Sequence, residues 1–112
     1  MKLRFVLIWL CLLSVRYTYA QNTELQLAQQ YINNSEPQKA ADIYEKLYRL
    51  DNEAYYRYYT DALLSLKKYS DAEKVARALY QKHPDDDQYP VLLSQIYSHE
   101  GNTAKALSLI HI

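Results

Sequence analysis

Few residues of this chain have the types and spacing that enzyme chemistry requires. The histidines His83, His99 and His111 are far apart in the sequence. Isolated histidines of this kind usually lie on the surface or at a helix end. The acidic run 85–87 offers oxygen ligands of the kind that divalent cations prefer, but Asp86 or Asp87 more often caps a following helix. No glycine-rich phosphate loop, zinc-protease motif or cysteine pair is present. The sequence therefore predicts a non-enzymatic protein without a catalytic, cofactor or metal site.

The stretch "AYYRYYTDALLSLKKYS" (residues 54–70) combines tyrosines with basic residues and allows two interpretations. Exposed rings beside basic side chains form a platform for bases or sugars, whereas rings on one helix face form a packing surface. At 100° per residue, four tyrosines share an arc of about 160° while Arg57 points away. Glu53 and Asp61 also dilute the positive charge, so the packing interpretation is favoured. The four tyrosines are Tyr55, Tyr56, Tyr58 and Tyr59.

The first twenty residues have the composition of a secretory signal peptide. A basic "MKLR" precedes the apolar "FVLIWLCLLSV", and "RYTYA" follows with Ala20 at the expected cleavage site. The eleven apolar residues are short of the roughly 20 that a membrane-spanning helix needs, which disfavours an uncleaved anchor. A lipid on Cys11 is disfavoured because Leu10, a large residue, precedes it. We expect an exported protein, located in the periplasm or outside the cell, with no transmembrane span after cleavage.

Cleavage after Ala20 changes the chemistry of the mature chain. It removes the single cysteine, so neither a disulfide nor a thiolate metal site can form. It also removes three of 13 basic residues and none of the 13 acidic ones, which leaves a formal charge of −3. Nucleic-acid binding depends on clustered Lys and Arg, so we expect no nucleic-acid partner.

The remaining sequence has the apolar period of α-helices and no strand-like alternation. Hydroxyl residues three positions before a Gln or Glu predict helix N-caps at Thr23, Ser35 and Ser70. Together with the breaks between apolar segments, these signals predict helices near 24–33, 36–50, 53–67, 71–82 and 88–100, with a sixth from about 103. Short links between them favour stacked hairpins.

Three segments align with one another at a regular spacing. Each has a small residue, a larger apolar or aromatic one three positions later, and an alanine nine further on. The first members are separated by 32 and then 34 residues. The aligned positions are Ala28, Thr60 and Ser94, then Tyr31, Leu63 and Tyr97, then Ala40, Ala72 and Ala106.

With these positions in register, residues 21–106 resemble a tetratricopeptide-repeat protein. Pro84 matches the closing proline of the family, whereas Asn52 departs from it, and Glu24, Tyr56 and Pro90 occupy the slot of the family's tryptophan. The resemblance implies an all-α fold of stacked antiparallel helix hairpins, an α-solenoid of about two and a half to three repeats. Their bounds are about 21–52, 53–86 and an incomplete 87–106. By analogy, Tyr56 and Tyr59 pack within their own hairpin, Tyr55 packs against the previous one, and Tyr58 lies at the edge.

The resemblance also implies a binding surface, because first helices of such repeats line a concave groove that holds a peptide or helix of a partner protein. This lining is mixed in character, neither strongly basic nor strongly apolar. The family's carboxylate clamp is not expected, since its positions carry Leu25, Gln29, Tyr58, Gln88 and Leu92. The expected groove residues are Leu25, Gln29, Ile32, Asn33, Arg57, Asp61, Leu64, Val91, Gln95 and His99.

The last six residues, "LSLIHI", equal the in-frame translation of a common sequencing adapter. Residues 107–112 are therefore expected to be either adapter-derived or the start of a truncated helix, and the chain to be a fragment. The main functional expectation is an exported scaffold that binds another protein, with an envelope complex as its expected setting. The alternative is the sensory or regulatory repeat region of a longer signalling protein or enzyme.

Overall fold

Six α-helices and no strand make up residues 2–110, the part of the chain that the computed structural model describes. The helices are α1 (Lys2–Asn33), α2 (Pro37–Leu50), α3 (Asn52–Ser65), α4 (Tyr69–Lys82), α5 (Gln88–Glu100) and α6 (Thr103–Ile110). The all-α prediction is confirmed for the described residues, and every predicted helix bound except the start of the first helix lies within two residues of the observed one. His111 and Ile112, including the predicted surface role of His111, lie outside the described residues.

The predicted helix starts are less accurate than the helices themselves. No helix begins at Thr23, because α1 runs from Lys2 through this region without a glycine or proline to interrupt it. The N-caps of α2 and α4 are Glu36 and Lys68, and neither makes a side-chain capping bond. The predicted caps Ser35 and Ser70 are therefore wrong.

A recurring backbone turn explains these two errors. Ser35 has a left-handed φ of 60°, its N–H bonds to the Ile32 carbonyl at 3.1 Å, and the Glu36 N–H bonds to the Tyr31 carbonyl at 2.8 Å. This pair of bonds is the Schellman motif, which satisfies carbonyls in the last turn of α1 and places Ser35 in its left-handed position rather than at the N-cap of α2. The same pair recurs around Lys67 (φ 59°) and Gly101 (φ 87°). These turns are separated by 32 and 34 residues, the spacing of the aligned sequence positions.

Side-chain caps are found at other helix starts. The Asp51 carboxylate accepts a bond from the Ala54 N–H at 3.2 Å and caps α3. Before α5, the Asp86 carboxylate accepts from the Gln88 N–H at 3.1 Å, as predicted for the acidic run. Asp87 is the N-cap residue by position but makes no capping bond.

Each helix packs against the next one in the sequence, and the small residues lie where the helices meet. The core consists of two adjacent clusters, one formed by α1, α2 and Ala62 of α3, the other by residues of α3–α6. Small side chains let paired helices approach closely, and larger side chains such as Leu47 and Leu79 fill the remaining space. All of the aligned small positions are buried: Ala28, Ala40, Thr60, Ala72, Ser94 and Ala106.

The tyrosines of α3 form a packing face, as the sequence predicts. Tyr55 packs against the first cluster, and Tyr58 stacks on Tyr44 of α2 with ring centres 5.5 Å apart. Two assignments need correction. The Tyr59 ring lies against the Tyr48 ring of α2, with centres 5.4 Å apart, so Tyr59 does not pack only within its expected hairpin.

The second correction concerns Tyr56, which packs against α5 rather than only within its expected hairpin. Its ring meets Tyr89 of α5 edge-on, with centres 5.5 Å apart. A tyrosine face about 160° wide is too broad to be covered by one neighbouring helix. One side of it therefore packs against α2 and the other against α5.

A polar network ties α4 to α5 on another side of the molecule. The Tyr97 hydroxyl donates to Glu73 Oε1 at 2.8 Å, and Arg77 donates to both Glu73 and the Tyr97 oxygen. The hydrogen bond from Tyr97, aided by Arg77, lowers the pKa of the Glu73 carboxyl. The network therefore joins α4 to α5 through the Glu73 carboxylate.

The first half of α1 is separate from the core. Every described side chain from residue 2 to residue 16 is exposed, with Leu3 at 78% and Trp9 at 66%. Among the described side chains of α1, Leu25 is the first along the chain that packs against a core cluster. Among the described residues, no helix has the length and apolar character required to cross a membrane.

Candidate functional site

The candidate site is a cleft of about 360 Å³ between α3 and α5. The intervening helix α4 packs against both of its sequence neighbours but contributes no residue to the cleft lining. The lining combines exposed polar side chains with an apolar floor that includes Leu92. The residues are Tyr56, Arg57, Thr60, Asp61, Asp87, Gln88, Val91, Leu92 and Gln95.

Four of the ten predicted groove residues come together in this cleft. Arg57 and Asp61 project from α3, one helical turn apart, while Val91 and Gln95 have the same spacing on α5. Val91 is 53% exposed and therefore presents apolar surface to the cleft. The i, i+4 spacing places each pair on one face of its helix.

The other six predicted residues do not line the cleft. Leu25, Ile32 and Leu64 are partly buried against the core clusters and serve packing. Gln29 donates to Asn33 at 3.4 Å on the exposed surface of α1. His99 lies exposed in the last turn of α5, where its charge acts on Asp61.

Tyr56 forms the structural link across the cleft. It is buried, and its hydroxyl donates to Gln88 Oε1 at 2.6 Å, which joins α3 to α5. The Arg57 Nε donates to the same hydroxyl oxygen at 3.0 Å, and its guanidinium lies 5.7 Å from the ring centre. Arg57 is therefore held against Tyr56 rather than free to extend across the cleft.

Asp61 has an unusual electrostatic environment. Water reaches part of its side chain, yet the neighbouring helices displace much of the hydration shell, and this burial raises the pKa of the carboxyl. The positive charges of Arg57 and His99 oppose the increase without reversing it. Among residues 2–110, no ion pair includes Asp61. The cleft thus contains a carboxylate that no described cation contacts directly, although Arg57 and His99 act on it at longer range.

A second, wider cleft of about 720 Å³ adjoins the first at the start of α3. Its far wall carries His83, the C-cap of α4, whose ring stacks on Tyr89 with centres 5.7 Å apart. His83 Nε2 lies 2.7 Å from Glu53 Oε1, but the atoms are not aligned for a hydrogen bond. The helix-end role predicted for His83 is therefore observed, with an added packing contact.

The sequence-based groove omitted five lining residues: Tyr56, Thr60, Asp87, Gln88 and Leu92. A helical face repeats at i, i+3, i+4 and i+7, and the series 88, 91, 92 and 95 follows this rule. That series could have been found from periodicity alone. The part played by the Tyr56 hydroxyl could not, since its partner Gln88 is 32 residues away.

The described side chains form no cluster of three or more His, Cys, Asp or Glu residues arranged to hold a metal ion. No protein-family model and no curated protein matches the chain. The tetratricopeptide-like interpretation therefore depends on the aligned residues and on the recurring turns. The arrangement of the cleft, with polar rims above an apolar floor, suits noncovalent binding.

Proposed function

We propose that this protein is an exported helical-repeat scaffold that binds a segment of another protein in the cleft between α3 and α5. The cleft carries this proposal, because it joins Arg57, Asp61, Val91 and Gln95 on one accessible surface. A peptide or helix can make polar contacts at the rims and apolar contacts at Val91. Binding sites commonly combine an apolar surface with a few convergent polar groups.

The proposed architecture is a tetratricopeptide-type stack of hairpins, α1–α2, α3–α4 and α5–α6. Three turns of equal hydrogen bonding support it, as do the buried small residues at matching positions. In such a stack, the first helices of successive repeats lie on the same side. A cleft between α3 and α5 is the feature that this arrangement produces.

Export is proposed from the N-terminal segment. Its exposed apolar side chains make no contribution to either core cluster, so the repeats do not need it for packing. A segment that is basic, then apolar, then polar is the pattern that the secretion machinery recognises. The proposed location is the periplasm or the cell exterior.

The binding proposal is tested by changing the cleft without changing the core. Arg57→Glu combined with Gln95→Ala alters both walls, and we expect capture of the main partner from an envelope lysate to fall roughly tenfold. Capture is quantified by mass spectrometry of the bound proteins, and helicity is followed by circular dichroism.

The matched control is Lys74→Glu with Gln81→Ala, which makes the same charge reversal and the same Gln→Ala change at exposed positions of α4. This control should capture the partner as well as the parent does. Equal capture by the cleft variant and the parent, with unchanged helicity, would exclude the cleft as the binding surface.

A further inference from the structure

We propose that the cleft between α3 and α5 selects a peptide segment that places a lysine or arginine side chain on Asp61, next to an apolar residue on Val91 and Leu92. This inference depends on the proposed function, since it specifies the chemistry of the segment bound there. It differs from that function in predicting a preference among peptides.

The main support is the lack of a partner for the two carboxylates of the cleft lining. Among the described residues, the carboxylates of Asp61 and Asp87 take part in no hydrogen bond or ion pair. Asp87 occupies the N-cap position of α5 without capping the helix. Both side chains are exposed, so an incoming cation can reach either carboxylate without displacing a protein partner.

The positive side chain of the same cleft is already engaged. Arg57 donates its Nε–H to the Tyr56 hydroxyl and lies over that ring. It does not pair with Asp61, although one helical turn separates them. An anionic segment would meet a guanidinium whose Nε–H is already used, whereas a cationic one meets a carboxylate without an ion-pair partner.

The charged residues around the cleft also favour a cationic segment. The two adjoining clefts carry Glu53, Asp61, Asp86 and Asp87 against Arg57 as their formally charged residues, with His83 beside Glu53. The local potential is therefore negative, and such a potential favours and orients a cationic ligand.

The apolar requirement follows from the α5 wall. Val91 is more than half exposed, and Leu92 lies beneath it at 9% exposure. An aliphatic side chain next to the cation can cover this surface and also reduce the water around Asp61. Partial dehydration of this kind strengthens a charge pair.

The test uses capped octapeptides whose central residue is Lys, Arg, Gln or Glu, with a neighbouring Leu or Ala. Binding to the full chain is followed by NMR, from the amide signals of residues 57, 61, 91 and 95. We expect the Lys and Arg peptides with Leu to bind about tenfold more tightly than the Gln peptide. The preference should weaken as salt screens the charges.

Two variants assign the preference to one carboxylate. Asp61→Asn should bring the Lys and Gln peptides to equal affinity while it preserves helicity. Asp42→Asn, an exposed position on α2 that lies outside both clefts, should retain the full preference.

Three outcomes would overturn the inference, and they can be distinguished from failure of the proposed function. Equal binding of Lys and Gln peptides in the cleft removes the cation preference but leaves the binding site intact. Tighter binding of the Glu peptide assigns the selectivity to Arg57 instead. Absence of any shift at the four amides rejects this peptide chemistry, while the lysate capture above separately tests the proposed function.

Discussion

Asp61 shows most clearly that this protein carries residues that its fold does not require. Its carboxylate lies in the cleft without an ion-pair partner, and burial raises the pKa of the group. Structural carboxylates in the same chain differ from it. Glu73, for example, accepts hydrogen bonds from Tyr97 and Arg77, and these bonds lower its pKa. A residue that opposes folding and faces an open surface is a candidate for binding.

This difference predicts that Asp61→Asn stabilises the free protein near pH 7. Because the pKa of Asp61 is higher in the folded than in the unfolded chain, its ionisation opposes folding. The resulting loss of stability is complete only above the folded pKa and disappears below the ordinary value of 3.8. Solvent screening limits the gain at pH 7 to about 0.5 kcal/mol or less.

Urea unfolding of parent and variant at several pH values measures this effect. The difference should shrink as the pH is lowered from 7 towards 4, and Asp42→Asn provides the control for a general charge effect. A variant less stable than the parent at pH 7 would show that Asp61 supports the fold.

At the scale of the helices, the turns repeat more faithfully than the side chains within them. Ser35, Lys67 and Gly101 occupy one left-handed position in three Schellman motifs, although only one of them is glycine. A left-handed backbone costs an L-residue about 1–2 kcal/mol, a cost that glycine avoids. The helix pairing on either side therefore imposes this conformation on serine and lysine.

Substitutions at the turns should follow this cost. We expect Ser35→Gly and Lys67→Gly to stabilise the protein by about 0.5–1 kcal/mol each, and Gly101→Ala to destabilise it by about 1 kcal/mol. No atom lies within 4 Å of a Cβ placed on Gly101, so the effect is conformational rather than steric.

Thermal or urea unfolding of the single variants measures these changes. Ser70→Gly is the matched control, because Ser70 lies inside α4 and glycine there should destabilise the helix. If Ser35→Gly and Ser70→Gly both destabilise the protein, the left-handed position has no special role in stability.

The helices were well predicted from the sequence, and their caps were not. Apolar periodicity gives α5 its observed bounds, Gln88–Glu100, since burial of one face follows directly from the spacing. The hydroxyl signals at Thr23, Ser35 and Ser70 failed for a different reason. A Schellman turn satisfies the backbone itself, and an uninterrupted helix needs no cap at all.

At the scale of the whole molecule, the chain has two parts with different surface character. Its radius of gyration is 17.9 Å, compared with about 13 Å for a compact domain of this length. The exposed apolar half of α1 accounts for the elongated outline, while the later helices share two adjoining clusters. The proposed export segment and the proposed binding region are thus structurally independent.

This independence predicts that removing residues 1–20 leaves the fold intact. The apolar side chains of residues 3–15 are 52–78% exposed, so their loss removes little buried surface. The melting temperature measured by circular dichroism should change by less than about 4 °C, the shift that corresponds to about 1 kcal/mol. Loss of a cooperative melt in the shortened chain would show that this segment belongs to the core.

The sequence by itself determined the helices, their amphipathic faces and the spacing of the small residues, because these depend on contacts within a few residues. The tertiary structure decided which of those faces meet. It turned Leu25, Ile32 and Leu64 towards the core, paired Tyr56 with Tyr89 and Gln88, and left Asp61 without a partner. These features depend on residues about 32 positions apart, and no local pattern records the rotation and separation of two helices after they have packed.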